Sequence, residues 1–188
     1  MNTLTQSIQA LALDEIKQYG LPPLDLFHIS EKKAIQLAEK LNLDTDTVII
    51  CHACMDIKLG QCAQEWRMKD HVADGISFIQ SIAADYHISD DLLDKIVDTI
   101  ACHHGQVESS SLEAEVCRNA DCYRFLDPKG ILIYLHSLGG RWTEFMDAVK
   151  QVESKMDEKR SLLTLDICKQ ELEWWYRYMK DILQSLKE

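Results

Sequence analysis

Asp56 is the residue whose chemistry most needs an explanation. It closes the stretch Val48-Ile49-Ile50-Cys51-His52-Ala53-Cys54-Met55-Asp56-Ile57, which is apolar nearly all round. A carboxylate in that setting is costly unless it is paired, hydrogen-bonded or on a metal. His52 lies four residues earlier, so on one helix the two side chains face one point. The chain has seven histidines, at 28, 52, 71, 87, 103, 104 and 136. A lone histidine on an apolar face is most often a hydrogen-bonded core residue or a surface one, and His87 reads as exposed and His136 as packing. The others fall in segments with polar groups where a core helix should be dry. His103-His104 ends a helical stretch, and Asp121 sits inside the mostly apolar stretch from Ala114 to Phe125. Imidazoles and carboxylates converging from several helices are what a metal site in a helical core requires.

The elements that must position these groups are helices. Apolar residues recur at helical spacing almost throughout, and no stretch has clear period-2 alternation. Helices are expected over about 5–19, ending at Gly20; 24–41; 45–58, with Asp44 as N-cap; 67–86; 90–104, capped by Ser89 and stopped by Gly105; 112–125; and 128–138, ended by Gly139-Gly140. Two longer charged helices follow, about 142–160 and 165–187. Residues 58–66 and 106–110 read as loops. The expected fold class is all-α, a single domain over 1–188 with roughly eight to ten helices.

The order of these residues resembles the HD-domain superfamily of metal-dependent phosphohydrolases, which reads His, then His-Asp, then a later Asp over a core of about five helices. The first His matches His28, in His28-Ile29-Ser30-Glu31-Lys32-Lys33-Ala34. The Asp of the pair matches Asp56, in Cys54-Met55-Asp56-Ile57. Further histidines match His71, in Lys69-Asp70-His71-Val72, and His103 and His104, in Ala101-Cys102-His103-His104-Gly105. The last Asp matches Asp121, in Arg118-Asn119-Ala120-Asp121-Cys122, after the entry Leu112-Glu113-Ala114-Glu115-Val116. The resemblance implies an HD-like core over 24–138, with an added N-terminal helix and a C-terminal helical extension over 141–188.

It also implies a site. One metal position would use His28, Asp56 and Asp121, and a second Asp56, His71, His103 and His104. The His of the signature pair is Met55 here, and a thioether does not replace imidazole at a hard or borderline divalent ion. Three readings stay open: His52 supplies the missing nitrogen, a single ion sits in the second position, or no ion binds. The implied activity is hydrolysis of a small phosphate ester or nucleotide with one or two divalent ions of Fe, Mn, Ni or Zn. Asp56 would hold or bridge the ions, and His103 or His104, where not a ligand, would protonate the leaving oxygen. Arg67, Lys69 and Arg124 are the cations expected at the substrate phosphate. The alternative is a binding or regulatory module that keeps the fold without turnover, which Met55 favours.

Composition narrows the partners. Twenty Lys and Arg against 31 Asp and Glu leave a formal charge of −11, which disfavours nucleic acid and anionic membranes. There is no G-x-G-x-x-G and no P-loop, and no apolar run approaches a membrane span. Seven cysteines with no basic and apolar leader ahead of them read as reduced, buried thiols in a cytoplasmic protein. Cys51 and Cys54 form a C-x-x-C without β-α-β context, which reads as helix packing. On the last helix Trp174, Trp175, Tyr176 and Tyr178 are expected to dock the core, with a homodimer face as the sharper option.

Overall fold

The computed structural model describes residues 2–139 and 144–187. Within them the chain forms ten α-helices and one short 3-10 turn, with no strand. They are α1 (Thr3–Tyr19), α2 (Leu24–Leu41), α3 (Thr45–Cys54), α4 (Leu59–Gln64), α5 (His71–Ile82), α6 (Asp90–Cys102), α7 (Leu112–Leu126), α8 (Pro128–Leu138), α9 (Phe145–Ser161) and α10 (Asp166–Ser185). The expected caps are present. Asp44 accepts from Thr47 N at 3.0 Å and Ser89 from Leu92 N at 3.4 Å, while Gly20 leaves α1 in the left-handed region at φ 75°. Gly139 caps α8; Gly140 and the start of the C-terminal extension, residues 141–143, lie outside the described residues.

Three boundaries depart from expectation, and each one shapes the site. First, α3 stops at Cys54, and residues 55–58 turn, so Asp56 lies on a turn and not on the helix that carries His52. Second, the stretch read as a loop contains α4. Gly60 permits it: a Cβ there would lie 2.6 Å from Tyr19 Cβ and 2.9 Å from Leu21 O. Third, the helix expected from 67 is a 3-10 turn at Met68–Asp70 and becomes α only at His71, which places that histidine at the mouth of α5.

Helices α3 and α7 form the centre. Every residue of α3 from Val48 to Cys54 is buried, as is almost all of α7 from Ala114 to Leu126. α2 and α6 pack on both, α1 covers α3, and α5 lies along α6. On the other side of α7 stand α8 and α9, with α10 against α9. The last helix docks through Cys168, Leu172, Met179 and Leu183. Its tryptophans do little of that work: Trp174 is 59% exposed and stacks on Tyr178, and Trp175 is half-buried. All seven cysteines are buried free thiols. Burial pushes the Cys51 thiol up to about 12, and Cys117 donates to Val48 O at 3.7 Å. No helix among the described residues is long and apolar enough to cross a membrane.

Candidate active-site cleft

A cleft of about 600 Å³ opens between the α1–α2 turn, the ends of α3 and α6, the start of α5, and α7, α8 and α9. Asp56, His71, His103, His104, Asp121 and Arg124 all line it. Its size falls in the range of about 300–1,000 Å³ usual for small-molecule sites.

The three histidines form its polar floor, and each is placed by local backbone chemistry. His71 Nδ1 lies 2.6 Å from Met68 O, a carbonyl of the 3-10 turn. His103 Nδ1 lies 2.7 Å from Ile100 O at the end of α6. A carbonyl only accepts, so in each neutral ring the proton is on Nδ1 and the lone pair on Nε2 faces inward. Asp98 holds the loop that follows, accepting from Ser110 N at 3.0 Å and Ser111 N at 2.8 Å. One ring nitrogen from each of His71, His103 and His104 falls within 4.8 Å of the others. His104 Nε2 stands 3.0 Å from His71 Nε2. Burial, with His103 and Lys159 adding to it, lowers the His104 pKa to about 3, so that ring is neutral.

The fit of this cluster to a cation can be judged from one atom. His103 Nε2 is buried with no hydrogen-bond partner, yet it lies 3.4 Å from Asp56 Oδ1. In the neutral Nδ1–H ring this contact would set a lone pair against a carboxylate oxygen. A proton or a metal ion resolves that contact, and three imidazoles with a carboxylate are the donors that iron, manganese, nickel or zinc accept. The Nδ1–H to carbonyl bonds of His71 and His103 are the outer support that metal-binding histidines use to fix ring orientation. The residues present fit a divalent ion.

The acids on the other side are already engaged. Arg124 Nη1 donates to Asp56 Oδ2 and lies 3.2 Å from Asp121 Oδ1. Lys159, from α9 and 1% exposed, donates to Asp121 Oδ2 at 2.6 Å. Burial raises the Asp121 pKa, but Lys159 and Arg124 outweigh it and hold the group down at about 2. Asp56 is likewise held well below the usual carboxylate range, with Arg124 and then His103 overcoming burial.

The structure does not bring all the expected residues to the cleft. His28 is not in the cleft: its side chain is 51% exposed, paired with Glu31 at 3.3 Å, and it lines a separate groove with Lys32 and Lys129. The inward face of α2 is Leu26, Phe27, Ser30 and Ala34, which turns residue 28 outward. His52 shares no point with Asp56. Its Nε2 lies 2.7 Å from Ser30 Oγ, and burial, then Arg124, lowers its pKa to about 3. Arg67 is held by Asp74 and Glu65, both at 2.6 Å, and does not line the cleft. Lys69 does. Lys155 and Lys159 also line the cleft, and no motif in the sequence marks Lys155. Lys159 does leave a signal, since it falls on the stripe Val149, Val152, Met156, Lys159, where a charged residue is out of place.

The apolar part of the cleft is Leu21, Pro22, Leu26, Val72, Phe125 and Tyr134. No family model and no curated protein sequence matches the chain. Among solved structures, YpgQ of Bacillus subtilis has a similar all-helical fold. Its complex with ADP aligns with a TM-score of 0.69 at 16% identity, over 98% of this chain and 93% of that one. A second YpgQ structure gives 0.69 and 16%, over 98% and 94%. At that identity the likeness is one of fold.

Proposed function

We propose that the cleft is the site of a metal-dependent phosphohydrolase acting on a small phosphate ester or nucleotide. The observation that carries this reading is the group of inward ring nitrogens of His71, His103 and His104 beside Asp56 Oδ1, one of them buried without a partner. These four residues would hold a divalent ion of Fe, Mn, Ni or Zn. When bound, the ion supplies Lewis acidity that favours attack of water on phosphorus at neutral pH.

The chain's own groups do the rest. Arg124 and Lys159 fix the two buried carboxylates and keep them ionised. Lys69, at the rim with Met68, and Lys155 supply positive charge for the outer phosphoryl oxygens in a protein of net charge −11. Leu26, Phe125 and Tyr134 give the organic part of the substrate an apolar wall and limit water at that end. With Nδ1 on Ile100 O and Nε2 turned toward the ion, His103 would serve as a ligand and not as the acid at the leaving group. The same fold has been crystallised with ADP in YpgQ, which supports a nucleotide among the candidate substrates.

A second reading has an observation of its own. The guanidinium of Arg124 stands between Asp56 and Asp121. With Met55 packed in the hydrophobic core where the signature pair has an imidazole, this favours a binding or regulatory module that keeps the cleft without turnover. Assaying nucleotides and generic phosphate esters with Mn²⁺ or with chelator separates the two. Turnover that needs the ion and is lost in His104→Ala supports the enzyme. Saturable binding of a phosphate ester with no turnover, metal bound, supports the module.

A further inference from the structure

Arg124 is 2% exposed; its Nη1 and Nε are committed inward, and its Nη2 is buried without a partner. Nη1 bonds Asp56 Oδ2 and lies 3.2 Å from Asp121 Oδ1, while Nε donates to Ser30 Oγ at 2.7 Å. The second oxygen of Asp121 belongs to Lys159. Two buried carboxylates from different parts of the chain thus converge on one cation, and that cation is a side chain. Asp56 is divided: Oδ2 faces the guanidinium and Oδ1 faces His103 Nε2 at 3.4 Å.

We propose that Arg124 is a built-in cation that closes the Asp56–Asp121 pair to metal, limiting the protein to one divalent ion on the histidine side of Asp56. Removing the guanidinium opens a second ion position between the two acids. The first half rests on the reading of the histidine cluster as a metal site; the second half does not. The physical reason is occupancy and charge. An ion between the acids needs Asp56 Oδ2 and Asp121 Oδ1, and Nη1 holds both. A divalent ion set beside a buried guanidinium and the buried Lys159 ammonium would meet like charge with little water to screen it. Asp56, Asp121, Arg124 and Lys159 sum to zero, so the wild-type cluster has no charge left to neutralise. Without Arg124 it carries one net negative charge in a buried place, which a cation from solution relieves.

The test is the number of Mn²⁺ ions per chain, by native mass spectrometry, for wild type, Arg124→Lys and Arg124→Ser, with thermal unfolding in chelator and in Mn²⁺. The expected counts at saturation are one, one and two. The Arg124→Ser midpoint should fall in chelator and rise with Mn²⁺ by more than that of wild type. A wild type that binds two ions overturns the proposal. So does an Arg124→Ser protein that gains no ion over wild type, or one that stays unfolded with Mn²⁺, since the ion is expected to take the guanidinium's place. A wild type with no ion defeats the metal reading of the histidines; a gain of one in Arg124→Ser then still supports the latent position.

Discussion

His104 Nε2 stands 3.0 Å from His71 Nε2, although 33 positions separate the two residues. His71 has given its proton side to Met68 O, so its inner nitrogen accepts, and the His104 Nε2–H is the donor between them. The contact therefore runs through a single proton, at the place where a divalent ion would sit. Metal binding would exchange that proton for the ion, with His104 taking its proton on the other ring nitrogen.

Replacing either member of this pair should disable ion binding more than any outer change. His71→Ala and His104→Ala are each expected to weaken Mn²⁺ by more than the ~10–100-fold that loss of an outer partner costs. Titration calorimetry measures it. Affinities within threefold of wild type in both variants would remove the pair from the site.

Lys159 should matter for stability because it neutralises a carboxylate that water cannot reach. Lys159→Met keeps the volume and leaves Asp121 with Arg124 alone. Breaking one side of a buried pair costs about 3–5 kcal/mol, so the unfolding midpoint should drop by roughly 10 °C. Adding Asp121→Asn should recover a good part of the loss. A Lys159→Met midpoint within 2 °C of wild type contradicts this view of the pair.

Acid should destabilise the protein in two stages. His52 is buried and neutral, its pKa lowered from 6.5 to about 3 by burial first and Arg124 second. The unfolded chain binds this proton before the native one does, so stability falls as pH drops below about 6.5. Asp121 has a folded pKa of about 2 against 3.8. Its contribution is full above 3.8 and is lost as pH falls toward 2, a loss of roughly 2 kcal/mol. Denaturant unfolding at pH 8, 5.5 and 2.5 follows both stages, and His52→Gln should reduce the first, the remainder coming from the similarly lowered His104. Equal stability at pH 8 and pH 5 would contradict the buried neutral imidazole.

Lys69 and Arg67 separate a cleft cation from a surface one. Lys69 lines the cleft, and Arg67 is tied to Asp74 and Glu65. Lys69→Ala should raise KM for a phosphate ester about tenfold, roughly 1.4 kcal/mol of binding, and Arg67→Ala should leave it within twofold. The reverse order would move the phosphate to the other side of the α5 entry.

The sequence made the chemistry of the cleft legible wherever a polar residue stood in an apolar setting. Asp56, Asp121 and the His103-His104 pair stood out in that way, and the helices that lead to or carry them followed from periodicity and caps. The misplacements have local causes. His52 and Asp56 are four apart, but α3 ends between them, so helical spacing does not apply. His28 lies near the start of α2, where too few apolar positions precede it to fix which face points inward. Arg67 has two acids within reach in its own segment, and short-range pairing takes it first. Lys159 comes from a helix beyond the recognisable motif, and only its place on an apolar stripe marks it. From the sequence, Arg124 reads as a substrate cation. That it closes two carboxylates on each other depends on contacts between α7 and the α3–α4 turn, which no local pattern encodes.

Crystals soaked in Mn²⁺ and measured at the manganese absorption edge test the metal reading most directly. The expected result is one anomalous peak within bonding distance, about 2.0–2.3 Å, of ring nitrogens of His71, His103 and His104, with Arg124 still on Asp56 and Asp121. A peak between the two carboxylates with Arg124 displaced, or no peak at the histidines at saturating Mn²⁺, would contradict it.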